Sequence, residues 1–193
     1  IGHLVGAISG GSLYRRASYL VDSLGKRVIA SDISLTEHPH LSKALGSANF
    51  DAEGVATSGK AFVANGTLES YILGSYSARR LGLETTGNSG GVFNLFVDSE
   101  KTTPEELMES MGTGLIVTDL MGQGANLVSG DYSRGAAGIW VEDGKPAYPV
   151  EEVTIASNLN DMLLGIIGVG DDLDYRGNIR TGSLLVNAMT VAA

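Results

Sequence analysis

The chain has 193 residues, room for one domain with a substantial core, whereas two domains would each be small. Its 13 basic and 22 acidic side chains give a net charge of −9, which argues against direct nucleic-acid binding because Lys and Arg supply most phosphate affinity. Cysteine is absent, so disulfides and thiolate metal sites are excluded, in keeping with a reducing, cytoplasmic setting.

The first segment, IGHLVGAISGG, is apolar and glycine-spaced with no initiating methionine, and reads as the interior of a longer protein that lacks its N-terminal domain here. It has neither a basic flank nor a cleavage site, so it does not read as a signal peptide, and the apolar run MLLGIIGVG at 162–170 is far too short to span a membrane. Glycine makes up 27 of the 193 residues, against only 4 prolines. That is about twice the usual glycine share of roughly 7%, and it describes a turn-rich ordered domain, not a linker.

Ser12 to Val21 alternates in polarity and is followed, after Ser23-Leu-Gly-Lys26, by apolar Arg27 to Ala30, a pattern that predicts a hairpin. A short helix is expected around Glu37 to Leu45. Lys60 to Ala64 and Thr67 to Leu73 flank Asn65-Gly66, the pair best suited to the positive φ angles of a type I′ turn. Another short helix is expected over Ser75 to Leu81. Thr103-Pro104-Glu105-Glu106 supplies an N-cap, a first-position proline and first-turn carboxylates for a helix whose apolar face is Leu107, Met108 and Met111, ending at Gly112. Ile139 to Glu142 and Lys145 to Val150 form a hairpin around Asp143-Gly144. From Asn158, Leu159, Met162, Leu163, Ile166 and Ile167 recur at helical spacing and predict one buried helix face. These elements describe a single α+β domain over 1–193, mainly antiparallel β-sheet with hairpins and a few packed helices.

Several catalytic patterns fail on inspection. Gly54 to Lys60 matches a phosphate-binding loop up to its lysine, but Ala61 replaces the magnesium-binding hydroxyl and Lys60 opens a strand, not a helix. Ser23-Leu-Gly-Lys26 has the S-x-x-K spacing in a turn, where the lysine cannot lie beside the hydroxyl. The histidines are His3, His38 and His40, and His38-Pro39-His40 offers two ligands where zinc wants three or four. Asp171, Asp172 and Asp174 lack calcium-loop spacing and, with Arg176 close by, suggest a local Asp–Arg turn network. Arg134 and Arg180 lie in glycine-lined segments where a guanidinium could reach a carboxylate or a peptide carbonyl.

The glycine-rich run from Met111 to Lys145, MGTGLIVTDLMGQGANLVSGDYSRGAAGIWVEDGK, together with TTGNSGG at 85–91 and YRGNIRTGS at 175–183, resembles the C-terminal part of the TldD/PmbA family, specifically its PmbA (TldE) branch. The resemblance covers essentially the whole chain. In the TldD branch a helix in this domain carries H-E-x-x-x-H, whose histidines hold zinc while the glutamate acts as base. Counting back from Gly25-Lys-Arg-Val28, which resembles the G-x-R-V segment of that branch, the motif falls on Ile1 to Gly6. Ile1 and Gly6 then replace the histidines, Gly2 replaces the glutamate, His3 matches a non-ligand position, and the C-terminal cysteine of TldD has no counterpart after Arg176.

The resemblance therefore implies a zinc-free subunit, without catalytic or metal-binding residues or a cofactor of its own. It would act beside a TldD-like catalytic subunit that holds the zinc. Unfolded peptides are the implied substrates, including a peptide antibiotic precursor and an antitoxin. A homodimer of the isolated chain is also an option, and neither nucleic acid nor membrane is expected as a partner. The alternative is a non-enzymatic binding or regulatory protein of a toxin–antitoxin or DNA gyrase pathway, since the branch has also been labelled a modulator of DNA gyrase. An independent hydrolase lacks a visible nucleophile pair. Within this scheme the glycine-rich segments 85–91, 129–135 and 178–183 are expected to converge on one cleft, with Asn88, Arg134 and Arg180 facing a peptide or the partner subunit.

Overall fold

The computed structural model describes residues 1–192. In chain order it contains α1 (Gly2–Ala7), α2 (Gly10–Tyr14), β1 (Ser34–Glu37), β2 (Lys60–Ala64), β3 (Thr67–Leu68), α3 (Ser75–Leu81), β4 (Leu95–Asp98) and α4 (Pro104–Met111). Then come β5 (Gly114–Met121), β6 (Asp131–Glu142), β7 (Lys145–Asn158), α5 (Leu159–Leu164), β8 (Ile166–Val169), β9 (Ile179–Arg180), β10 (Leu184–Val186) and β11 (Thr190–Ala192). The architecture is α+β with mainly antiparallel pairing, as the hairpin signals predict.

Two sheets carry the domain. The first runs β3-β2-β1-β4-β9, antiparallel except for the parallel β4–β9 pair at its edge. On β1 and β4 the residues Leu35, Glu37, Leu95 and Val97 point into the core while Thr36 and Phe96 face outward, the period-two consequence of pleating. Against the inner face pack Leu4 and Ile8 from the α1 region, Leu13 from α2, Phe62 from β2, and Leu163 and Ile166. The second sheet, β11-β7-β6-β5, is antiparallel throughout and has its own smaller cluster of Tyr132, Ala136, Val153, Ile155 and Leu159. Tyr19 packs against both clusters; its hydroxyl is buried with no partner, and burial pushes its pKa up to about 12.

The turn chemistry works as expected. Asn65 and Gly66 have φ of 47° and 79°, and Asp143 and Gly144 have 50° and 71°, so both tight turns have the two positive angles of a type I′ hairpin. At α4 the Thr103 side chain accepts from the Glu106 amide while the Glu106 carboxylate accepts from the Thr103 amide, a complete capping box, and Gly112 ends the helix.

Other expectations are corrected. Ser12 to Val21 is not a strand: it begins inside α2 and continues through turns. Local bonds hold it there, with Leu13 N donating to Ser9 O, Ala17 N to Ser12 O, and Leu20 N to the Ser18 hydroxyl, which itself donates to Ala7 O. Serine side chains thus give the backbone an alternative to a ladder, and Arg27 to Ala30 lies instead beside the β3 hairpin, with Val28 N donating to Gly66 O. No helix forms around Glu37 to Leu45; Glu37 ends β1, and Pro39 disfavours helical backbone at His38. The second strand of the Asn65-Gly66 hairpin stops at Leu68 rather than Leu73.

The helix from Asn158 ends at Leu164, and Ile166–Val169 becomes β8, paired with β10. Glycine-flanked, β-branched Ile-Ile suits a strand as well as a helix turn, and the availability of β10 decides between them. Leu159, Leu163 and Ile166 are buried as expected, but Ile167 is 56% exposed. Truncating Leu163 to Ala should therefore cost about 2 to 5 kcal/mol in denaturant unfolding. Ile167→Ala should stay within about 0.5 kcal/mol of the parent, and equal losses at both positions would contradict this packing.

Candidate functional site

Helix α1 forms one wall of a cleft of about 370 Å³ between the second sheet and the β8–β10 pair. The remaining walls come from Leu120 at the end of β5, Met162 and Leu163 on α5, Ile166 on β8, and Leu184 on β10. Its polar groups are few: His3 on α1, and Tyr132 and Arg134, which share one face of β6. A mostly apolar hollow with a few placed polar groups is the usual form of a binding site for small molecules or side chains.

Both basic side chains of the cleft are fixed in place. His3 meets Tyr132 edge-on, with ring centroids 5.9 Å apart and planes at 69°. Burial first, and then the positive charge of Arg134, hold the His3 imidazole below its ordinary pKa. Arg134 donates from Nη2 to the Leu120 carbonyl at 3.2 Å, while its Nε is buried without an acceptor. An arginine held by one backbone oxygen still has a donor edge for a ligand.

The three expected binding residues stand in three settings, and no hydrogen bond joins any two of them among the described residues. Arg134 lines the cleft. Arg180 lies on the outer face of the first sheet, over Phe96 and Tyr175. Asn88 is 3% exposed, and its polar atoms are engaged internally. Its Nδ2 donates to both Glu37 oxygens at 2.9 and 3.0 Å and to Gly91 O at 3.1 Å, and its Oδ1 accepts from Lys60 Nζ at 3.2 Å. Glu37 is completely buried, and also accepts from Lys60 Nζ at 3.0 Å and from the Phe93 amide at 2.6 Å. Lys60, the end of the phosphate-loop look-alike, is thus committed to a carboxylate.

One glycine in each of the three expected loops serves the protein's own packing. A Cβ on Gly87 would lie 2.7 Å from the Ala56 carbonyl oxygen, one on Gly130 would lie 2.8 Å from Asn158 Oδ1, and one on Gly182 would run into the Gly170 carbonyl. His40 Nε2 pairs with the Thr57 hydroxyl at 3.0 Å, and His38 packs on Phe96. In the acidic turn, a hydrogen bond from Arg176 holds the Asp174 carboxyl down at about 2, while Asp172 accepts from the Ser183 amide and hydroxyl. His3 and Tyr132 escaped the sequence reading as cleft residues; the only signal was Tyr132 and Arg134 two apart on a strand that begins inside a glycine-rich run.

The domain is α+β, with a mixed sheet, an antiparallel sheet and a helix-walled groove. By sequence, the chain belongs to the PmbA/TldA metallopeptidase C-terminal domain family, whose model matches residues 1–193. It is 51% identical over 191 residues to the protein named Metalloprotease PmbA of Escherichia coli O157:H7, covering 99% of this chain and 42% of that protein. Among solved structures, a candidate modulator of DNA gyrase from Bacteroides thetaiotaomicron superposes with a TM-score of 0.93 at 28% identity, over 99% of this chain and 43% of that one. A second, described in the same way, from Thermotoga maritima, gives 0.89 at 35% identity, over 99% and 46%. The chain therefore spans less than half the length of these relatives. No helix among the described residues is long and apolar enough to cross a membrane.

The residues of α1 do not fit a zinc ion. Ile1, Gly2 and Gly6 carry no donor side chain, a Cβ on Gly6 would already lie 3.2 Å from Leu127 Cδ1, and His3 is a lone imidazole. Among the described residues no group of three or more His, Cys, Asp or Glu side chains is placed to hold a metal.

Two outcomes test this geometry. Asn88→Ala leaves the buried Glu37 carboxylate short of donors and should destabilise the domain by about 1 to 3 kcal/mol; an unchanged unfolding midpoint would remove Asn88 from the network. For His3 the folded pKa is lowered, so the unfolded chain binds the proton first as pH falls. Its contribution is complete above the ordinary histidine value of about 6.5 and is lost as pH falls through it toward the folded value. The melting temperature should therefore drop less between about pH 7.5 and about pH 5 in His3→Asn than in the parent, and parallel curves would sink the assignment.

Proposed function

We propose that this chain is the C-terminal domain of the zinc-free subunit of a TldD/PmbA-type metallopeptidase, acting beside a zinc-bearing TldD-like subunit on unfolded peptides. Maturation of a peptide antibiotic precursor and degradation of an antitoxin are the processes this reading implies. The observation that carries it is the chemistry of α1. The positions onto which the family's metal motif falls are Ile1, Gly2 and Gly6, which can neither bind a metal nor move a proton. The partner's zinc would polarise the scissile carbonyl and activate water, while this chain binds and orients.

The cleft beside α1 suits that role. Leu120, Met162 and Leu184 offer an apolar seat for a substrate side chain, and Arg134 and His3 offer donors to peptide carbonyls at its rim. A second reading is a non-enzymatic regulator of a toxin–antitoxin or DNA gyrase pathway, and the names of two solved relatives, modulators of DNA gyrase, bear on its gyrase part alone.

The discriminating experiment uses the full-length protein, a TldD-like partner and an unfolded peptide. Zinc analysis should find stoichiometric metal in the partner and none in this subunit, and turnover should require the mixture. Arg134→Ala in this subunit should lower turnover about tenfold, the loss of one charge-assisted contact, with the partner's zinc unchanged. One tightly held zinc in this subunit, or turnover by it alone, would overturn the proposal. Altered gyrase supercoiling by the subunit alone, with no peptide turnover in the mixture, would favour the regulatory reading.

A further inference from the structure

Three ion pairs form among the described residues: Arg16 with Asp22, Lys60 with Glu37, and Arg176 with Asp174. Arg180 takes part in none of them, although acids outnumber bases 22 to 13 in the chain. It stands on β9, at the edge of the first sheet, in register with Phe96 of β4, which in turn pairs with Thr36 of β1. Because Leu35, Glu37, Leu95 and Val97 fill the inner face, Thr36, Phe96 and Arg180 share the outer one.

The guanidinium is held there by rings. Its central carbon lies 5.1 Å from the Phe96 centroid and 5.4 Å from the Tyr175 centroid. His38 braces Phe96 from the side, edge-on at 5.4 Å with the planes at 76°. Attraction to ring faces fixes a guanidinium without using its N–H donors. The Nε of Arg180 is buried and has no acceptor, a state that native proteins rarely leave unanswered. Asp98 is the acid nearest along this face of β4, but it pairs in register with Ser34 and its charge acts on Lys101. The group that fits such a fixed guanidinium is a planar carboxylate, which can accept from its two Nη groups together. A nucleic acid is the poorer match, since the chain carries a net charge of −9.

We infer that the outer face of the first sheet at Arg180 is a binding site for a peptide carboxylate, with Phe96 and Tyr175 setting the plane of the guanidinium that receives it. The site is separate from the α1 cleft and needs neither a metal nor turnover. Two sources share this chemistry, the C-terminal carboxylate of a peptide and an internal Asp or Glu.

The test is fluorescence anisotropy on the full-length protein without a catalytic partner, using a labelled disordered peptide that has a free C-terminus and one internal Asp. Three further probes carry a C-terminal amide, Asp→Asn, or both. Wild type should lose about tenfold in affinity, the size of a charge-assisted hydrogen bond, when the carboxylate it uses is neutralised, and the arm that responds identifies the source. Arg180→Gln should bind all four probes equally and weakly. Arg180→Lys should recover only part of the discrimination, because an ammonium lacks the planar fork. Wild type that ignores both neutralisations overturns the site, as does Arg180→Gln that still discriminates. If Arg180→Gln fails to fold, Arg180→Lys with wild-type discrimination is the overturning result. Because no zinc subunit is present, a negative result here leaves the peptidase reading to its own experiment.

Discussion

The buried carboxylate of Glu37 is the constraint on which the first sheet depends. It closes the central strand β1 and gathers Lys60 from the start of β2, Asn88 from the glycine-rich loop, and the Phe93 amide just before β4. A carboxylate without water costs several kcal/mol unless its lone pairs are met, so segments 23, 51 and 56 residues away in sequence must arrive together. Their arrival fixes Glu37 opposite both Lys60 and Leu95, and hence the register of β2 and β4 against β1. The placement of Phe96, and of Arg180 beside it, follows from that register. A polar interaction inside the core thus determines what the outer surface presents.

Legibility followed how local the determining physics is. Asn65-Gly66, Asp143-Gly144 and the Thr103–Glu106 capping box were readable because each is decided within four residues by backbone angles and a side-chain cap. β1, β4 and β5 were not read as strands, since each is short or glycine-led and gains its identity from a partner distant in sequence. Ser12 to Val21 looked like a strand because its polarity alternates, yet serine hydroxyls and short backbone bonds captured it first. The Ile166-Ile167 run was ambiguous in the same way until β10 supplied a ladder.

The candidate site divides along similar lines. An arginine among glycines is visible in sequence, so Arg134 and Arg180 could be singled out, but what each one touches is tertiary. Asn88 was chosen by its glycine neighbours, and those glycines have an internal reason: Gly87 lets the loop pass under the Ala56 carbonyl, which brings Asn88 within reach of Glu37. The same holds in the second sheet, where a Cβ on Gly138 would run into the Ile116 carbonyl of β5. At Gly87 and Gly138 glycine marks where the chain passes close to its own backbone, and chemistry facing outward has to be sought in the side chains that remain.

Those side chains are unevenly matched. Arg16 and Arg176 are well exposed and yet pair with acids, in contacts that water and salt make weak. Arg134 and Arg180 each have a buried Nε without an acceptor, although the chain has acids to spare. Were charge neutralisation within the fold the governing requirement, the order would be reversed, with acids placed at the buried donors where they would gain most. The two unanswered arginines also lie on different layers, one in an apolar cleft against the second sheet and one on the outer face of the first. An extended peptide has both apolar side chains and carboxylates to present, so on the proposed reading a zinc-free subunit would set the position and direction of its substrate by holding it at two chemically different points.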